Sequence, residues 1–418
     1  MFFLFKNNFC LAITTLMAAI LIGMVSMIAV YHIPLEPITA NISNHFLNIY
    51  QKSSHWAPKY PMSNMDYFSD TIILSGALFP TKKELKVRMK DAMLVPHFAP
   101  KRIQSLVNYS SGKSKNFFRK DYPRYWHGNL VIFKPLLAFF TVSDIRVLNM
   151  VIQTFLLCIL MISLYVKGGY KLSIPFLAGA LILNPVGSVL SLTSSCMYYI
   201  TLLSCLIFIK KDIYYSSKYW YFFFLTGIVT VFFDFFTYPL VSLGIPLVFF
   251  AILNHDDCLV KIKKIAISTV CWVIGYAGMW IGKLCVGSII LGKNLFFDAI
   301  NQIIFRLGKP SDTISHAIVK NLNELYYSVP VLIGSMIIMI AIMGLLLKKY
   351  KMVLKKSIVI PLLFIGTYPF IWCSIIKKHV IIHSWETHRI FSITILALIY
   401  SIVYSISKVK NTKTGETS

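Results

Sequence analysis

The stretch LSIPFLAGALILNPVGSVLSLTSSCMYYITLLSCLIFI, Leu172 to Ile209, holds no charged residue between Lys171 and Lys210. A helix needs about twenty apolar residues to cross a hydrocarbon core of about 30 Å, so this run is long enough for two crossings. Asn184-Pro185-Val186-Gly187 near its middle supplies turn residues. Helix, turn and helix inside uncharged sequence read as a membrane hairpin, and the rest of the chain is tested against that reading.

Of 418 residues, 57% are hydrophobic and 14% charged, and the mean hydropathy is +0.69. Soluble domains carry about a quarter charged residues, and disordered chains are poor in apolar ones. The 41 Lys+Arg against 16 Asp+Glu give a formal net charge of +25. A nucleic-acid binder would match that charge but not the apolar runs, so the class expected is an all-α, polytopic membrane protein and nucleic acid is not an expected partner. Of eight Cys, seven sit in or at the ends of apolar runs and Cys258 in a short polar loop. They lack the clustered spacing of a disulfide framework or a zinc site.

Further spans read as Phe9 to Val30, Ile145 to Val166, Ala266 to Leu284, Val329 to Leu347, Ile358 to Ile376 and Ile390 to Ile406. The first is preceded by Lys6 and is longer than a signal-peptide core, which suits a signal anchor. Between Lys218 and His255 a second hairpin folds near Asp234, followed by Thr237-Tyr238-Pro239. The expected total is about ten spans in a single integral membrane domain covering 1–418.

Lys and Arg in short loops set orientation. With the N-terminus inside, every short connection on the inner side is basic: Lys167 and Lys171, Lys210 to Lys218, Lys261 to Lys264, Lys348 to Lys356, and the tail's Lys408, Lys410 and Lys413. The short turns at Asn184 and Asp234 carry neither Lys nor Arg. Three segments then face outward: a long first loop, 32–144, a second, 286–328, and a third, 377–389. Within the first, Asn129 to Phe140 is apolar but too short to span, and reads as an interfacial or re-entrant helix.

The first loop contains Met65-Asp66-Tyr67-Phe68-Ser69-Asp70. A spacing of i,i+4 puts Asp66 and Asp70 on one helical face, which suits a general base or a divalent-metal ligand and equally a solvated loop with Asp66 capping a short helix. Further on, Asp121-Tyr122-Pro123-Arg124-Tyr125-Trp126-His127-Gly128 precedes the interfacial helix. Arg124 and His127 there could grip a phosphate, or the motif could serve only as an aromatic anchor. Asp234 in apolar flanks, and Lys283 and Arg306 towards the outer side, are accessory candidates. Such ionisable groups near a membrane are costly, although Lys can also snorkel to the headgroups. The third segment, Lys377-Lys378-His379-Val380-Ile381-Ile382-His383-Ser384-Trp385-Glu386-Thr387-His388-Arg389, is dense in cations on the side where short loops otherwise lack them. His379 and His383 have metal-ligand spacing, but Glu386 stands outside the pair, and an anion site of His, Lys and Arg explains the composition better than zinc. A lipid-linked phosphate would sit at such a cluster.

MDYFSD, DYPRYWHG followed by an apolar helix and SDIRVLN, FDFFTYPLVSLGIP, and HVIIHSWETHR in that order resemble bacterial membrane glycosyltransferases of the GT-C class, above all those encoded with polysaccharide pathways that decorate wall glycans, capsules or O-antigens. The resemblance spans nearly the whole chain. It implies transfer of one sugar from a polyprenyl-phosphate donor to an acceptor glycan at the outer face of a bacterial plasma membrane, with inversion, both termini cytoplasmic and no metal or other cofactor. Asp66 or Asp70 matches the acid that activates the acceptor hydroxyl. Arg124, His127, His379, His383 and Arg389 match the basic positions that meet the phosphate leaving group. The chain departs from the family where an acid usually follows the first span closely: only Glu36 stands there. A glycan polymerase would share these features. A flippase or transporter would instead place ionisable groups at mid-membrane and show repeats.

Overall fold

Backbone groups in lipid have no water to bond, so an apolar chain of this kind satisfies them within helices. The structure, a computed structural model, describes residues 2–43, 55–57, 60–80, 82–99, 102–113, 118–325 and 355–405. The chain runs α1 (Phe2–Val30), α2 (Glu36–Ser43), α3 (Tyr67–Leu78), α4 (Leu85–Leu94), α5 (Arg102–Ser110), α6 (Asn129–Phe139), α7 (Val142–Gly168), α8 (Tyr170–Ile182), α9 (Pro185–Leu190) and α10 (Leu192–Lys210). It continues as α11 (Tyr219–Phe233), α12 (Val241–Leu253), α13 (Cys258–Leu291), α14 (Phe296–Leu307), α15 (Ile314–Leu325), α16 (Lys356–Gly366), α17 (Tyr368–Ile375), α18 (Lys377–Ile382), α19 (Ser384–Thr387) and α20 (Ser392–Ser405). Two three-residue strands, β1 (His97–Ala99) and β2 (Phe118–Lys120), pair antiparallel with Phe98 opposite Arg119.

Among the described residues, six segments are long and apolar enough to cross a membrane: Asn8–Val30, Val142–Gly168, Leu192–Lys210, Cys258–Leu291, Lys356–Ile375 and Ser384–Tyr404. This is a multi-pass helical architecture, and the described residues hold six full-length spans where about ten are expected of the whole chain. Three expected spans fold as the shorter helices α8, α11 and α12, of 13, 15 and 13 residues. The expected span Val329 to Leu347, with Lys348, Lys349 and Lys351 and the tail lysines, lies outside the described residues. The stretch from Lys356 is broken at Thr367, between Gly366 and Pro369, because proline removes a helical N–H and crowds the preceding turn.

Burial sorts the helices. In α10, 78% of the apolar window lies inside the protein, against 17% in α1, so α10 is the central post and α1 a lipid-facing one. α11 and α13 pack at backbone contact: a Cβ added at Gly227 would stand 2.2 Å from the Trp272 carbonyl oxygen, and one at Gly275 2.2 Å from that of Phe224. Small residues at such a crossing are how apolar helices associate where no hydrophobic force separates protein from lipid. α7 opens with a capping box, Thr141 Oγ1 donating to Asp144 Oδ2 at 2.7 Å while accepting from the Asp144 N–H at 3.2 Å.

The alternation of helices brings four connections to one end of the bundle: the long segment before α7, the 234–240 turn, the stretch carrying α14 and α15, and residues 376–391. Two apolar clusters meet there, and Phe233, Phe236 and Tyr276 pack against both. The segment 377–389, expected as a short outer loop, is helical (α18, α19 and a 3-10 turn His388–Phe391) and largely buried.

Candidate active site

Asp66 ends an extended approach and caps α3, its Oδ1 accepting from the Ser69 N–H at 3.1 Å. An N-cap carboxylate is held by the helix's free amides and its dipole, leaving the rest of the group to point elsewhere. It points into a cavity of about 40 Å³ that it lines with Ser69, Thr237, Arg306, His379, His383 and Glu386, walled by Tyr122, Tyr125, Phe235 and Phe236. Among the described residues no other side-chain hydrogen bond engages the Asp66 carboxylate.

Asp70, one turn on, is fully buried. Its Oδ1 accepts from Ser191 Oγ at 2.9 Å, from the Thr193 N–H at 3.0 Å and from Thr193 Oγ1 at 3.1 Å. Burial raises its carboxyl to about 6, against the pull of those donors. A second acid meets the same helix start: Glu386 accepts from Ser194 Oγ at 3.0 Å and pairs with Arg389, whose Nη1 donates to Ser194 Oγ at 3.0 Å. The N-terminus of α10 therefore gathers two buried carboxylates, which is where the helix dipole favours negative charge.

The 234–240 turn forms another wall. Asp234 accepts from the Thr237 N–H at 3.0 Å and from its Oγ1 at 2.5 Å, which holds Phe236 at φ +68, a left-handed conformation costly for an aromatic residue. Tyr238 then donates to the Ser194 carbonyl at 2.8 Å, with the Arg389 guanidinium 4.8 Å from its ring centroid. The Asp121–Gly128 motif locks against this turn. Trp126 Nε1 donates to the Met279 carbonyl at 2.8 Å, and the Gly128 N–H to that of Phe232, also at 2.8 Å. A Cβ at Gly128 would meet Phe232 at 2.4 Å, so no other residue fits.

The cations take distinct stations. Arg306, from the last turn of α14, lies 4.7 Å from the Phe236 ring centroid and donates to the Tyr125 hydroxyl inside the cavity. Arg124 faces away, gripping Asp298 through Nε at 3.1 Å and Nη2 at 3.3 Å. Lys283 is buried elsewhere, donating to the Met93 carbonyl at 2.9 Å. His127 sits behind the wall on the Tyr122 carbonyl, 3.0 Å away, and burial lowers it to about 3. His379 donates from Nε2 to the Phe236 carbonyl at 2.7 Å. Burial pulls it well below the usual imidazole range, and lowers His383 too, although Asp66 opposes the latter. The two rings stand 4.8 Å apart between centroids.

The sequence candidates thus divide. Asp66, Arg306, His379 and His383 face one cavity, while Asp70 and Arg389 form the bracket behind it and Asp234 shapes its wall. Arg124, His127 and Lys283 hold surrounding elements and do not line it. Neutral imidazoles leave Arg306 as the cation of the cavity among the described residues, so the charge expected from the histidines is carried by a residue read only as an accessory. Glu386 and Tyr125 join the lining unannounced; the one signal in the sequence was the i,i+3 spacing of Glu386 and Arg389. No cluster of three His, Cys, Asp or Glu side chains suited to a metal occurs among the described residues.

A second, larger cavity begins close by. About 620 Å³ in volume, it is walled by apolar residues of α6, α7, α10 and α11 from Cys196 and Phe233 to Ile207 and Phe222. Cys196 is one turn along α10 from Thr193, which binds Asp70. No protein-family model matches the chain, and comparison with curated proteins and with solved structures returns no similar protein.

Proposed function

We propose that the protein transfers a single sugar from a polyprenyl-phosphate donor to a cell-surface glycan at the outer face of a bacterial plasma membrane. The observation that carries this reading is the meeting of one acceptor-rich carboxylate, Asp66, with one half-buried guanidinium, Arg306, across a single cavity at one end of an apolar bundle. Glycosyl transfer to a hydroxyl needs a group that takes the proton and a charge that meets the departing phosphate.

In this mechanism Asp66 accepts the acceptor hydroxyl's proton as its oxygen attacks the anomeric carbon. The bond to the phosphate oxygen breaks on the opposite face, and the configuration inverts. Arg306 receives the developing phosphate charge, worth most in a site that excludes water. His383, uncharged, supplies a ring N–H rather than a charge, and His379, whose Nε2–H is spent on Phe236, positions it. Asp70, saturated by Ser191 and Thr193, is the weaker candidate for base. The apolar groove beside α10 supports a donor with a long hydrocarbon tail. At about 40 Å³ the polar cavity holds water rather than a sugar phosphate, so substrate entry requires its walls to part.

The test is transfer from a panel of polyprenyl-phosphate sugars to acceptor glycan by purified protein in lipid nanodiscs. Addition of one residue, abolished by Asp66→Asn, supports the reading. A ladder of products would assign a polymerase, and movement of lipid-linked glycan without a new bond a flippase.

A further inference from the structure

Helix α14 is amphipathic, but the wrong way round for a helix in water. At 100° per residue, Phe296, Phe297, Ile300, Ile303, Ile304 and Leu307 fall within an arc of about 120°. The protein leaves most of that arc uncovered: Phe297 is 71% exposed, Ile304 61% and Ile300 53%, while Phe296 packs on the small cluster of Leu284, Leu295 and Ala299. What the bundle covers is the other side. Ala299 is buried, Asp298 is held by Arg124, and Arg306 enters the cavity.

The neighbouring helix α15 shows the ordinary arrangement. Ala317 and Asn321 are buried against the bundle, and Ile318, Leu322 and Leu325 pack on its core. The outward apolar face is therefore more pronounced on α14 than on α15, where among the apolar residues only Ile314 and Val319 are exposed, at 47% and 44%. Only four residues, turning at Gly292 with φ +62, separate it from α13, a helix long enough to span a membrane. The exposed apolar side of α13, with Ile281 and the 81% exposed Ile289, leads into Phe297. Exposed Lys293 and Lys309 flank the helix, and Lys378 lies 4.4 Å from the Phe305 ring centroid, as cations do where they reach for headgroups beside apolar chains.

We infer that α14 lies in the headgroup layer of the bilayer with Phe297, Ile300 and Ile304 among the acyl chains, so that the membrane surface itself is the partner that holds Arg306 in the cavity. Continuity with the lipid-facing side of α13 and the flanking lysines select an anionic lipid surface over a protein partner. This docking goes beyond sugar transfer and stands whatever the cavity's chemistry.

The full-length protein with benzoylphenylalanine in place of Phe297, Ile304 or Ser311, in nanodiscs of phosphatidylcholine and phosphatidylglycerol in equal parts, is photolysed and analysed by intact mass. Phe297 and Ile304 face the proposed lipid, and Ser311 lies exposed in the turn beyond the helix. Lipid adducts at 297 and 304 several-fold above those at 311 are expected. Equal yields at all three positions, no lipid adduct at 297 and 304, or cross-linked pairs of protein chains there would overturn the inference. Size-exclusion elution matching the unsubstituted protein qualifies each variant, and two substituted apolar positions keep the test open if one fails to fold. The readout is a lipid mass, so its failure is separate from any failure of the transfer assay.

Discussion

Asp66 and Asp70 stand one helical turn apart on α3, yet they belong to different regions of the molecule. Asp66 fronts a cavity with a single local hydrogen bond, facing Arg306, His383 and Glu386. Asp70 lies in the bracket behind it, enclosed and supplied with three donors from the start of α10. A group whose bonding capacity is spent inside the protein stabilises the protein; a group whose capacity is left over has something to offer a substrate. The front should therefore fail in activity and the bracket in stability.

The largest expected effect is at the front. Asp66→Asn keeps a good helix cap, so thermal unfolding should be nearly unchanged while single-turnover transfer falls by about 10²–10⁴. Full activity in that variant would erase the distinction. Arg306→Gln should reduce transfer by about 10²–10³, with Arg306→Lys recovering part of it because charge remains but the fork is lost. Behind the front, Asp70→Ala strands the Ser191 and Thr193 donors at roughly 1–3 kcal/mol each. Unfolding temperature and yield should drop, and Asp70→Asn should restore much of both. Loss of transfer by Asp70→Asn at unchanged stability would make Asp70 the base instead.

The pH dependence sharpens the same contrast. Burial raises the Asp70 carboxyl from 3.8 to about 6, so the folded state holds a proton that the unfolded chain releases, and stability from this group falls as pH rises from about 4 through 6. The unfolding temperature of the native protein relative to Asp70→Asn should therefore rise on going from pH 7 to pH 4. His127 works in the opposite sense. Lowered from 6.5 to about 3, it contributes stability that is present above pH 6.5 and lost as pH falls towards 3. His127→Asn should flatten that acid-side loss in the same melting series. The smallest effect is expected at Arg124, whose pair with half-exposed Asp298 is worth about 0.2–1 kcal/mol. A double-mutant cycle of Arg124→Ala and Asp298→Ala should find coupling in that range, and a transfer defect as large as that of Arg306→Gln would move Arg124 into the cavity's chemistry.

Much of the scaffold was legible from residues alone. The apolar runs, the turns at Asn184 and Asp234 and the short helix from Asn129 are where the sequence puts them, because lipid leaves little choice but continuous helix and a turn needs Asn, Pro or Gly. Span length was less legible. The stretches holding α8, α11 and α12 lack charges over enough residues, but the chain turns or shortens inside them. The site was legible only by composition. Spacing made Asp66 and Asp70 equals, and the alternation of spans made 377–389 an outer loop in spite of its dense cations. The structure buries much of that segment within the protein, where Glu386, Arg389 and Ser194 satisfy one another, a cancellation invisible in a linear count of charges. Arg306, separated from Asp66 by 240 positions, was legible only as an accessory cation of the second outer loop, and nothing in the linear order paired it with Asp66.

By itself, then, the sequence determined that this is a helical, multi-pass membrane protein with acids and cations in the segments joining its helices, since hydrophobicity and charge are properties of local composition. Only the tertiary structure decided which of those charges face a cavity and which are spent on each other. Hydrogen-bond saturation and burial depend on what distant segments bring to the same few ångströms, and one turn of helix is enough to move a carboxylate from one condition to the other.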